Sequence, residues 1–247
     1  LDPWFKRRYP LKHLKKWLVW PWAIHPGLRD AQAVFFTCEQ ERILARQSFW
    51  LYQPRERILP YGTEGIPDPN TDYATTFLDQ HPVLHQRRCL LFLGRVHPKK
   101  GPDLLIRALA VLQREGQWSA QSHCLVMAGP CQGRYARSLT RLATQLGVAE
   151  SIHWTGMLLG DQKWGAFQAA EAFVLPSHQE NYGIAVAEAL SASTPVLITH
   201  PVNISPEIAA DRAGLVEADT LPGIVNLLRQ WLALDPQALE AMAVNAR

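Results

Sequence analysis

Two carboxylates stand eight positions apart in the stretch ENYGIAVAE, Glu180 and Glu188, with Gly183 between them. An apolar run, Ala172–Pro176, comes first, and the break PSHQ (Pro176–Gln179) separates it from the first glutamate. The order reads as strand, loop, glycine, helix, with one acid ahead of the helix and one inside it. A helix start offers unpaired backbone N–H groups and the positive end of the dipole, so it attracts an anion such as a diphosphate. Two carboxylates flanking that point can accept hydrogen bonds from sugar hydroxyls. A second cluster lies in LGRVHPKKGPDLL, residues 93–105, where Arg95 and Lys100 fall between a strand and its helix and Gly94 and Gly101 permit a tight turn. Arginine brings a planar fork of donors and lysine a point charge, a suitable pair for phosphate oxygens. Neither a Walker loop nor a G-x-G-x-x-G fingerprint occurs. Taken alone, the Arg95/Lys100 loop reads as a solvated basic turn.

The elements that must position these residues alternate. Strands are expected at Cys89–Gly94, His123–Gly129, Ser151–Gly156, Ala172–Pro176, Pro195–Thr199 and Ala213–Glu217. Helices are expected at Pro102–Arg114, Arg134–Leu146, from a cap at Asp161 through Glu171, at Ile184–Ser191, at Leu221–Leu234, and from Pro236 to Arg247. Continuous apolar strands alternating with helices imply an α/β fold, a Rossmann-like parallel sheet covered on both faces, with ligands at the carboxyl ends of its strands. Upstream, Ala33–Thr37 reads as a strand, Glu39–Gln47 as a short helix, and Arg55–Gly62 as ending in a second strand. Residues 62–82 carry Gly62, Gly65, Pro67, Pro69 and Pro82 and read as a loop. The expected organisation is an upstream α/β segment at 1–60, a linker at 61–88 and a domain at 89–247 that carries the suggested sugar-nucleotide site.

Hydrophobic residues make up 47% of the 247, which places the chain among globular proteins. A net charge of +3 gives no argument for nucleic acid, and none is expected as a partner. Cys38, Cys89, Cys124 and Cys131 form no C-x-x-C, so free thiols in a reducing compartment are expected. No run of about 18 apolar residues is present. DPNTDYATTFLD (68–79) has oxygen ligands at EF-hand-like offsets but lacks the glycine at its sixth position and the glutamate at its twelfth. No D-x-D occurs either, and neither a metal nor another cofactor is expected.

In combination, GRVHPKKG before a helix, AGP (128–130), HWTG (153–156) and PSHQENYGIAVAEAL resemble the retaining GT-B glycosyltransferases of family 4, also called group 1. The resemblance covers residues 89–247 almost continuously, and DAQAVFFTCEQE (30–41) and RILPYG (57–62) resemble the end of that family's N-terminal domain. It implies transfer of a hexose from a nucleotide-diphosphate sugar, without a metal, to a polysaccharide, glycolipid or lipid-linked acceptor. It also implies roles. Arg95 and Lys100 neutralise the diphosphate, Glu180 contacts the sugar, and Glu188 accepts from the ribose hydroxyls. Asn181, Tyr182, Gly183 and Ile184 line the helix start, and residues near His153–Gly156 lie where the base is cradled. His97 and His178 fall near the site without an assigned part.

The first 22 residues hold six Lys/Arg, four Trp and one acid, Asp2, with Leu11, Leu14, Leu18 and Trp22 at helical spacing. Two readings stay open: an interfacial helix meeting anionic lipid, or a surface helix of the N-terminal domain. The corresponding location is cytoplasmic, with peripheral contact at the inner face of the membrane. The chain begins Leu1-Asp2-Pro3 without Met, and a piece of a longer protein is expected, one that binds a nucleotide but turns over poorly. Two rivals remain, a GT-B-like sugar-nucleotide epimerase and a non-catalytic membrane-associated sugar-nucleotide-binding module.

Overall fold

A computed structural model describes residues 9–48 and 51–246. Six strands form one parallel sheet: β3 (Arg88–Leu93), β4 (His123–Ala128), β5 (Ile152–Gly156), β6 (Ala172–Leu175), β7 (Val196–Thr199) and β8 (Gly214–Glu217), in the order β5-β4-β3-β6-β7-β8. The central strands are apolar because they are covered on both faces. Cys89–Phe92 and all of β6 and β7 are buried, whereas the edge strands β5 and β8 are mostly half-exposed. The order reverses between β3 and β6, which makes their carboxyl ends the switch point where an open sheet leaves a crevice.

The helices of this sheet are α4 (Tyr73–Gln80), α5 (Pro102–Arg114), α6 (Arg134–Gln145), α7 (Gly160–Ala169), α8 (Ile184–Ser191), α9 (Ser205–Asp211), α10 (Leu221–Ala233) and α11 (Pro236–Asn245). With this strand order, the right-handed rule for parallel crossovers assigns the helices leaving β3 and β4 to one face and those leaving β5, β6 and β7 to the other. Helix α10 returns to pack on α5, and α4 packs on α7.

Four expectations change. Residues 61–88 do not form a plain linker. Asp72 caps α4 by accepting from Thr75 N–H at 3.0 Å, and Tyr73, Phe77 and Leu84 enter the core of the six-stranded sheet. Glycines and prolines bracket this helix but do not enter it. Asp161 is not a cap: α7 begins at Gly160 with Leu159 preceding it, and Asp161 lies in the first turn, where its charge faces the positive end of the dipole. Helix α9 has no counterpart among the expected elements. The last helix ends at Asn245, and Arg247 lies outside the described residues.

Upstream, β1 (Val34–Phe36) and β2 (Glu56–Ile58) pair in parallel around α3 (Glu39–Arg46). Before them, α1 (Pro10–Val19) runs into a π-helical turn (Trp20–Ile24) and then α2 (His25–Asp30). That turn, with Pro21 inside it, breaks the expected spacing at Trp22. Trp20 is the buried ring, near Tyr52, while Trp22 is 83% exposed. The basic segment before Tyr9 lies outside the described residues. No helix among the described residues is long and apolar enough to cross a membrane.

Candidate functional site

The loop after β3 and the loop after β6 are held together at the switch point. Gly101 has φ +66, a left-handed conformation, and an added Cβ would lie 2.2 Å from the carbonyl oxygen of Pro176. The Lys99 carbonyl accepts from His178 N–H at 2.8 Å and from Ser177 Oγ at 3.1 Å. His97 shapes the first loop from within. Burial, and then the cations Arg95, Lys99 and Lys100, hold its imidazole below its ordinary value, and Nδ1 accepts from Lys99 N–H at 3.1 Å. His178 Nδ1 lies 2.8 Å from Asp219 Oδ2, tying the second loop to the segment after β8.

This framework brings Lys100 onto Glu180 as a half-buried ion pair across 80 positions of sequence. Glu180 is fixed by its backbone as well. Its N–H donates to Pro201 O, and its carbonyl accepts from Asn203 N–H, each at 3.0 Å. Arg95 shares the Lys100 loop but is exposed, and its side chain makes no hydrogen bond or ion pair among the described residues.

Gly183, at φ +82, begins α8. No side chain caps the helix, and a Cβ there would press to 3.1 Å on Val186 Cγ2. Ile184 is exposed at the first helical position. Tyr182 packs near the Tyr61 ring, at 6.1 Å between centroids. Asn181 Nδ2 donates to Glu41 Oε1 at 3.0 Å, while Glu41 Oε2 accepts from Thr37 N–H and Oγ1. Burial pushes the Cys38 thiol up, so it stays protonated and its Sγ donates to Asn181 O at 3.6 Å. The β1–β2 unit therefore touches the loop that carries the first carboxylate.

Glu188, one turn into α8, has a partner that the sequence did not reveal. Lys163 Nζ of α7 donates to its Oε1 at 2.8 Å. Of the expected base-cradling segment, Gly156 lies at the carboxyl end of β5, where its carbonyl accepts from Gly129 N–H at 2.7 Å. His153 instead lies near the amino end, with its Nε2 3.0 Å from His81 Nδ1. Among the described residues, no three His, Cys, Asp or Glu side chains gather to hold a metal.

Lys100 and Glu180 thus meet at the carboxyl edge of a parallel sheet, with Arg95 in the same loop as Lys100 and Glu188 one turn into the uncapped helix that follows Glu180. This arrangement can take an anion joined to a hydroxyl-rich group.

The model of the family described as "Glycosyl transferases group 1" matches residues 75–247. D-inositol 3-phosphate glycosyltransferase of Gordonia bronchialis is 32% identical over 174 residues, which is 69% of this chain and 37% of the relative. The enzyme of the same name from Streptomyces avermitilis is 34% identical over 156 residues, 61% of this chain and 33% of the relative. The match therefore takes in only about a third of these relatives' length. Among solved structures, WaaG, a glycosyltransferase involved in lipopolysaccharide biosynthesis, superposes with a TM-score of 0.75 at 22% identity, covering 97% of this chain and 67% of WaaG. Anabaena HepE, solved in complex with UDP and glucose, gives 0.75 at 19% identity, covering 91% of this chain and 59% of HepE. These likenesses establish the fold as that of the GT-B glycosyltransferases. The family match runs through both the Arg95–Lys100 loop and the two glutamates, and the chain belongs to the group 1 glycosyl transferases.

Proposed function

We propose that this chain is the donor-binding half of a retaining, metal-independent glycosyltransferase that moves a hexose from a nucleotide-diphosphate sugar to a glycan or lipid-linked acceptor. The observation that carries the reading is the meeting of Lys100 and Glu180 at the switch point, beside the uncapped start of α8. HepE, of the same fold, was solved with UDP and with UDP-glucose, which supports a nucleotide-sugar donor here.

As the bond from the sugar's anomeric carbon to the β-phosphate oxygen breaks, negative charge grows on that phosphate and the ring gains oxocarbenium character. Lys100, the exposed Arg95 and the first N–H groups of α8 stabilise the phosphate. Losing one such preorganised donor costs about 3–4 kcal/mol of barrier. Glu180 orients the sugar, Glu188 accepts from the ribose, and Asn181, Tyr182, Gly183 and Ile184 shape the phosphate end. The acceptor hydroxyl forms the new bond to the anomeric carbon on the face the diphosphate leaves, and its proton passes to the departing β-phosphate oxygen, so that the products are the glycoside and the nucleoside diphosphate.

A calorimetric and thermal-shift panel of GDP, UDP, ADP and their sugars tests this. A ligand at 100 times its dissociation constant stabilises the fold by about 2.7 kcal/mol. A chain whose melt is unmoved by every nucleoside diphosphate refutes the reading.

The acceptor side of the proposal rests on α1. Leu11, Leu14 and Leu18 are 78%, 58% and 70% exposed, Lys12, Lys15 and Lys16 are interleaved with them, and no acid lies between Asp2 and Asp30. Such a face lies on anionic lipid at a membrane's inner surface, with about 1 kcal/mol of attraction per basic residue near the surface. Binding to phosphatidylserine vesicles is expected to fall when Lys15 and Lys16 are replaced by Glu. Equal binding to neutral phosphatidylcholine vesicles would overturn it.

A further inference from the structure

Lys163 is placed with unusual constraint for a lysine. Its helix, α7, is docked from behind by α4, with Gly165 so close that an added Cβ would meet Tyr73 O at 2.4 Å and Phe77 Cβ at 2.6 Å. Gln168 Oε1 accepts from Tyr73 N–H at 2.9 Å and Ala74 N–H at 3.1 Å, locking the two helices in register. The next residue, Trp164, is buried, and Lys163 Nζ lies 4.3 Å from the centroid of its ring. From there it donates to Glu188 Oε1 at 2.8 Å, with the side chains 22% and 15% exposed. Glu188 Oε2 makes no hydrogen bond among the described residues.

We propose that Lys163 is a positioning residue that sets how Glu188 reads the donor's ribose, an inference that rests on the donor-binding reading above. An ionised carboxylate is acceptor-only, with about four lone-pair sites on its two oxygens. Lys163 takes up one site on Oε1 and fixes the carboxylate plane. Oε2 and the rest of Oε1 are then presented in one orientation to the two adjacent ribose hydroxyls. Without the lysine, Glu188 is a helix side chain free to turn toward water, and ordering it then subtracts from the ribose's binding energy. The ligand class this favours is a ribonucleoside diphosphate over its 2′-deoxy counterpart. The lysine acts on the sugar edge of the nucleoside, so binding of bare pyrophosphate at the Arg95/Lys100 loop is insensitive to it.

The test is calorimetry of the 247-residue chain with UDP, GDP and ADP, their 2′-deoxy forms and pyrophosphate, in wild type, Lys163→Met, Lys163→Gln and Lys163→Arg. Wild type is expected to prefer the ribose form of its nucleotide by about tenfold, the scale of one hydrogen bond to a charged group. In Lys163→Met and Lys163→Gln that preference falls to within about twofold, while pyrophosphate affinity holds within about twofold; Lys163→Arg keeps most of the preference. A merely structural pair would weaken all ligands together and leave the ribose-to-deoxyribose ratio unchanged, and that result overturns the inference alone. A wild-type chain that binds no nucleoside diphosphate overturns the donor reading, and this inference with it.

Discussion

Gly101→Ala perturbs the point where the two site loops touch. The residue sits at φ +66 and ψ +27, immediately before α5, and an added methyl would lie 2.2 Å from Pro176 O and 3.2 Å from Pro176 C. Ordinary van der Waals separations are about 3.5 Å, so the loops must part by roughly 1 Å. A left-handed L-residue costs about 1–2 kcal/mol, and overpacking against fixed backbone about 1–3 kcal/mol more. The sum, about 2–5 kcal/mol, lowers the melting temperature by about 4–20 °C for a chain of this size. Gly116→Ala is the matched control: it has φ +72, with nothing within 4 Å of where an added methyl would lie, so only the backbone part is lost. Urea unfolding of the two variants side by side isolates the close approach. Parting the loops also stretches the bonds from Ser177 and His178 to Lys99 O, which hold Lys100 near Glu180. Gly101→Ala is therefore expected to bind pyrophosphate and nucleoside diphosphates more weakly, while Gly116→Ala binds as wild type. If Gly101→Ala is no less stable than Gly116→Ala, the loops do not depend on this contact and the reasoning fails.

Gly165→Ala should destabilise although it places a better helix former inside a helix. The propensity gain of about 1 kcal/mol is outweighed by about 1–3 kcal/mol of overpacking against Tyr73 and Phe77, and a raised urea midpoint would show that α4 docks loosely. Stability should also fall in mild acid. Burial holds His81 and His153 below their ordinary 6.5, so below that value the unfolded chain binds more protons than the native one. Full stability is present above pH 6.5 and is lost as pH falls from there through the lowered native values. A urea midpoint lower at about pH 5.5 than at about 7.5, with a smaller difference in His81→Gln, is the expected outcome, and equal midpoints would contradict it.

The parts of the site that the sequence made legible are those whose information is local. Gly183 and the apolar spacing after it set α8 at Ile184–Ser191, as read from the chain, because a left-handed glycine and one helical turn are specified within a few residues. Helix α4 was obscured by the same kind of local signal. Five glycines and prolines stand around it, yet Tyr73 and Phe77, four apart, bury one face against α7. Seven-residue α9 buries only Ser205 and Ile208, too few positions to show a period. Lys163 carried no motif, since its meaning comes from Glu188 on another helix, 25 positions away.

The step least accessible from sequence is also the one the site depends on. Strand β6 does not join the sheet beside β5, its predecessor in the chain, but beside β3, with Leu90 opposite Ala172 and Leu91 opposite Phe173. Had it paired at the far edge, Lys100 would lack its partner and Glu180 would lie at another strand's end. Insertion beside β3 creates the crevice, and Gly101 against Pro176 is what lets the two strand ends close to that distance. The two motifs are each weak alone because neither encodes this neighbour relation; it is enforced by the burial of β3 and β6 on both faces, which leaves them no stable place at an edge.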